Sequence, residues 1–102
     1  MDNIDLISEI KRLSNLLDKQ YDLELNFRNH CYLRIAYDNT VQNKWDLVLK
    51  KPFNKYANQD QLENVINLLD TYISDKNKLL EHNKNSLEFR KNAKVIVVQT
   101  LF

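Results

Sequence analysis

Two neighbouring pairs in this chain carry side chains that do chemistry elsewhere. His30 stands beside Cys31, and an imidazole next to a thiol is the pairing that activates a cysteine nucleophile. Glu81 stands beside His82, a combination that serves acid–base catalysis or metal ligation. Neither has suitable spacing. Adjacent residues on a strand point apart, so His30 and Cys31 would diverge. Glu81-His82 has no second histidine at ligand spacing and reads as a solvated helix end. Asp22, Glu24 and Asp38 could supply paired carboxylates, but they read as ordinary strand surface and turns. The chain has no glycine, which excludes the Gly-rich loops that cradle phosphates and dinucleotides. The expectation is a protein that is not an enzyme and uses no cofactor and no metal.

A cluster of cations is more informative. Lys44, Lys50, Lys51 and Lys55 lie within a short stretch opposed only by Asp46, and Phe53 and Tyr56 are interleaved with them. Basic groups alternating with aromatics can hold a phosphate backbone or single-stranded nucleic acid. Tyr32 and Arg34, placed on the outer face of a strand, would extend that surface. Tyrosine and arginine also concentrate binding energy at protein interfaces. The candidate partner-binding residues are therefore Lys50, Lys51, Phe53, Lys55, Tyr56, Tyr32 and Arg34. A solvated rim with no partner is the competing reading of the same residues.

Composition bounds the possibilities. The 102 residues suit one domain, 1–102, with a modest core. Hydrophobic residues make up 43%, too many for wholesale disorder. With 15 basic and 14 acidic residues the formal charge is +1, so no global field favours nucleic acid. Cys31 is the lone cysteine, which fits a reducing cytoplasm. Met1-Asp2-Asn3 does not open a signal peptide, and no apolar run is long enough to span a membrane. Heavy use of Asn, Lys and Ile suggests AT-rich coding, as in a low-GC bacterium or one of its phages.

The elements that would position the cluster follow from periodicity. Leu6, Ile10, Leu13 and Leu17 form an apolar stripe that predicts a helix over 4–19. Tyr21, Leu23, Leu25 and Phe27 alternate with polar residues, and so do Cys31, Leu33, Ile35 and Tyr37. Trp45, Leu47 and Leu49 repeat the pattern. Three antiparallel strands are expected, joined by turns at Asn29-His30 and after Asp38. Asp60 with Glu63 resembles a capping box, opening a second helix that ends between Asp75 and Asn83. Residues 86–92 read as a short strand, or alternatively as a helix capped by Ser86. Val95-Ile96-Val97-Val98 makes 94–101 the strongest strand signal. The predicted class is α+β, an antiparallel sheet of four to five strands with two amphipathic helices on one face, in the order α-β-β-β-α-(β)-β. The expected core is Leu6, Ile10, Leu13, Leu17, Leu23, Leu25, Leu33, Ile35, Trp45, Leu47, Leu62, Ile66, Leu69 and Ile73.

The opening Asn3-Ile4-Asp5-Leu6-Ile7-Ser8-Glu9-Ile10-Lys11, followed by this element order, resembles the small phage-encoded anti-CRISPR proteins of the type II-A kind. The resemblance implies a non-enzymatic viral inhibitor acting in the cytoplasm of a bacterial host. Such a protein binds a CRISPR effector–guide RNA complex and blocks DNA binding or cleavage. Inhibitors of that kind often present an acidic, DNA-like surface, whereas the densest cluster here is basic.

Overall fold

A computed structural model describes the backbone of residues 3–100 and the side chains of residues 3–93. Among the described residues six helices follow one another: α1 (Asn3–Gln20), α2 (Asn29–Val41), α3 (Trp45–Val48), α4 (Phe53–Tyr56), α5 (Gln59–Ser74) and α6 (Lys76–Thr100). No strand occurs among the described residues, so the α+β expectation is overturned: this is an all-helical protein.

The first helix is as its stripe predicts. Leu6, Ile10, Leu13 and Leu17 are all buried, facing α5 and α2. Leu62, Val65, Leu69 and Tyr72 form the matching buried stripe of α5. Helix α2 lies between, packing on α1, α5 and α6, and α6 closes the assembly against α2 and α5. Burying a Leu or Ile side chain stabilises by about 1.5–3 kcal/mol, so these two stripes and Ile35 of α2 hold the fold together.

The predicted strands fail for separate reasons. Residues 21–24 are turns that continue from α1, with the Tyr21 and Leu25 amides bonding back to Leu17 and Tyr21 carbonyls. Tyr21 and Leu25, four apart, turn inward, while Leu23 is 98% exposed. In residues 31–37 the apolar residues satisfy both periods, and the helical set Tyr32, Ile35, Ala36 and Asn39 is the one buried. Polar Asp38 and Asn39 inside the protein disguise that stripe in the sequence. Trp45–Val48 is one helical turn, so Leu47, assigned to the core, is 53% exposed. Leu25, Leu33, Trp45, Ile66 and Ile73 are half-buried against the core.

Residues 86–92 and the Val-Ile run belong to α6, whose backbone is helical to Thr100; Leu101 lies outside the described residues. β-Branched residues favour strands only by a fraction of a kcal/mol, about 1 kcal/mol over the whole scale, and context overrides it. The α5 cap is shifted from its expected place. Asn58 and Gln61, not Asp60 and Glu63, form the capping box: the Asn58 side chain accepts from the Gln61 amide at 2.8 Å, and Gln61 Oε1 accepts from the Asn58 amide at 2.9 Å. Asp75 alone separates α5 from α6, its carboxylate accepting from the Lys78 amide at 3.0 Å. At the end of α2, Gln42 adopts a left-handed conformation with φ 58°.

Candidate functional site

The cationic segment grows from an aromatic pedestal. Tyr37 of α2 stacks on Phe53 of α4 with ring centroids 3.9 Å apart and planes 5° from parallel. Trp45 of α3 meets both rings edge-on at 5.6 Å. Such pairs contribute beyond their buried area, about 0.5–1.5 kcal/mol each. Because the pedestal spans α2, α3 and α4, the chain between Leu49 and Tyr56 is fixed at both ends.

Lys50, Lys51, Lys55 and Tyr56 project from it and are exposed. The Lys55 ammonium sits 5.5 Å from the Tyr56 ring centroid, within cation–π range. Asp46 accepts from Lys44 at 3.2 Å and lies 3.7 Å from Lys51. Burial alone would raise the Asp46 carboxyl, but the Lys44 hydrogen bond and both lysine charges outweigh it and hold the group below the usual carboxylate range. Among the described residues no carboxylate pairs with Lys50 or Lys55.

The other candidates are placed elsewhere. Phe53 is 2% exposed and serves as the pedestal, so it presents no surface to a partner. Tyr32 is fully buried, edge-on to Phe27, and its hydroxyl has no hydrogen-bond partner. Burial, reinforced by the Asp18 charge, pushes that hydroxyl up to about 12. Arg34 is half-buried and donates to Asn83 Oδ1 at 2.6 Å, tying α2 to α6. Burial lowers its pKa from the usual arginine value. The seven candidates therefore divide into four exposed residues at 50–56, the buried Phe53 and Tyr32, and the half-buried Arg34.

A polar seam between α2 and α6 has no counterpart in the sequence reading. Asp38 is fully buried and accepts from the Trp45 amide at 3.0 Å, Ser86 Oγ at 2.6 Å and Arg90 Nε at 2.8 Å. Asn39 donates to the Ile35 and His82 carbonyls at 2.8 and 2.9 Å. His82 Nδ1 lies 2.7 Å from the Tyr72 hydroxyl. Burial pushes the Tyr72 hydroxyl well above the usual phenol value. Burial, aided by the Lys78 charge, lowers the His82 pKa. His82 is thus held by Tyr72 of α5 and is half-buried within α6, where the sequence reading expected a solvated helix end. The contacts that Asp38 and Asn39 make with α6 join residues 43 to 52 apart in sequence, so no local spacing announces them.

Among the described residues no group of three or more His, Cys, Asp or Glu side chains is disposed to hold a metal ion. No helix among them is long and apolar enough to cross a membrane. No family model, curated protein or solved structure matches this chain.

Proposed function

We propose that this chain is a small non-enzymatic binding protein that meets a polyanionic partner through residues 50–56. One observation supports the reading. Lys50, Lys51, Lys55 and Tyr56 are exposed together on a rigid pedestal, and the one nearby carboxylate, Asp46, is already shared by Lys44 and Lys51. Lysines gain from a phosphate backbone by releasing its counterions, and an exposed tyrosine offers a stacking face that tolerates any base.

An effector–guide RNA complex, the partner implied by the anti-CRISPR resemblance, belongs to this class. Its support is the first helix, which forms over the residues that carry the resemblance; the strand order does not form. In that reading the protein is phage-encoded and acts in the host cytoplasm, where its lone thiol Cys31 stays reduced.

The test is fluorescence anisotropy with a labelled single-stranded oligonucleotide at rising salt. Three lysine–phosphate contacts imply a log–log slope near −2, hence about a fifteenfold loss of affinity between roughly 50 and 200 mM salt. Reversal of Lys50, Lys51 and Lys55 to Glu together abolishes binding. Unchanged binding by the reversed variant, with the helical circular dichroism intact, defeats the proposal.

A further inference from the structure

Beside the pedestal, α1, α2 and α4 enclose a cleft of about 210 Å³. Its polar lining comes from Lys11, Ser14, Asn15, Asn29, Tyr37 and Asn54. Ile7 and Leu33 are among its apolar walls. Tyr37 is 8% exposed, and stacking on Phe53 fixes its ring. Among the described residues its hydroxyl reaches only Asn54 Oδ1, at 3.5 Å, the outer limit of a hydrogen bond. Asn29 donates its amide to Asn15 Oδ1, which leaves the Asn29 oxygen and the Asn15 amino group for another partner. A nearly buried tyrosine and three asparagines therefore line one small space.

We infer that this cleft is a subsite for a single unstacked nucleobase of a strand held by residues 50–56. The inference rests on the function proposed above and specifies its ligand. An asparagine amide presents a donor and an acceptor side by side, as does the edge of a base, and such pairs read base edges. The apolar walls suit the flat faces of a ring. The volume falls below the roughly 300–1,000 Å³ of an ordinary ligand pocket, so it admits one ring system and leaves the sugar and phosphate outside. Lys11 lines the cleft and is itself exposed, as a neighbouring phosphate requires. Asn54 lines the cleft and immediately precedes Lys55, so the single turn of α4 carries both a cleft residue and a lysine of the cationic surface.

Free nucleosides carry no phosphate and so probe the cleft without the lysines. Adenosine, cytidine, guanosine and uridine are titrated separately into the labelled protein, and the side-chain amide signals are followed by NMR. At least one nucleoside is expected to shift the Asn15, Asn29 and Asn54 amides together. Tyr37→Phe and Asn54→Ala, which leave the apolar packing in place, each weaken that nucleoside about fivefold, the worth of one hydrogen bond. Absence of shifts with all four nucleosides, or shifts that both variants leave unchanged, overturns the subsite. Oligonucleotide binding by the native chain separates the two claims. Nucleosides that bind while oligonucleotides do not would uphold the subsite and defeat the phosphate-binding surface. The opposite pattern would defeat the subsite alone.

Discussion

Asp38 and Arg90 are joined across the α2–α6 interface, with Arg90 Nε 2.8 Å from Oδ2 and Nη2 3.2 Å from Oδ1 of the same carboxylate. Asp38 also accepts from Ser86 and from the first amide of α3. One buried carboxylate therefore sets the positions of α2, α3 and α6 at once.

Removal of that carboxylate is expected to be severe. Asp38→Ala leaves Arg90 and two further donors without an acceptor and should cost about 3 kcal/mol or more. Ser86→Ala deletes one donor and should cost about 1 kcal/mol. Urea unfolding followed by circular dichroism measures both. Equal effects from the two substitutions would show that the ion pair is not what secures α6.

The Tyr72–His82 contact predicts an acid-sensitive fold. His82 has a folded-state pKa below its unfolded value of about 6.5. Its stabilising contribution is therefore complete above pH ~6.5 and lost as pH falls through the lowered folded value. The urea midpoint of the native chain should fall on acidification from pH ~6.5 towards the lowered folded value, and His82→Gln should flatten this part of the profile. His30→Gln, at an exposed position, is the control. A profile unaltered by His82→Gln would remove His82 as the sensor.

Phe53 and Tyr56, grouped together by sequence, should separate in experiment. Phe53→Ala empties the pedestal and should cost about 3–5 kcal/mol of stability. Tyr56→Ala, at a position 44% exposed, should change stability by less than about 0.5 kcal/mol. Its effect falls on binding, where a lost stacking contact weakens an oligonucleotide by about 1–3 kcal/mol. Thermal melts and anisotropy on the same samples make the comparison; a Tyr56→Ala variant with native affinity would exclude stacking on that ring.

Helix α5 begins at its capping box. Asn58→Ala should destabilise the protein by about 1 kcal/mol, whereas Asp60→Ala, the cap expected from sequence, should cost much less. Reversal of that order in denaturant midpoints would move the start of the helix.

Helices α1 and α5 were legible because each has one buried face, so Leu6 to Leu17 and Leu62 to Tyr72 declare a helical period. Helix α2 was not, since it is enclosed by three other helices and carries Asp38 and Asn39 inward. Its apolar residues then fall at both odd and helical spacings, and the odd spacing suggested a strand. The C-terminal half of α6 misled for a different reason: its Val-Ile run expresses an intrinsic preference weaker than its context. Clustering near 50–56 was visible as composition. That Phe53 faces inward depended on a helical turn too short to leave a periodic trace, and that Tyr32 belongs to the core depended on α2 being a helix.

Gln42 carries a practical consequence. It is the one non-glycine residue with positive φ among those described, in a chain that has no glycine to put there. A left-handed residue with a Cβ costs roughly 1–2 kcal/mol, offset in part by the Gln42 side chain donating to the Asn39 carbonyl at 2.6 Å. Engineering for expression or crystallisation can start there, since Gln42→Gly relieves the backbone at an exposed site distant in sequence from the 50–56 surface.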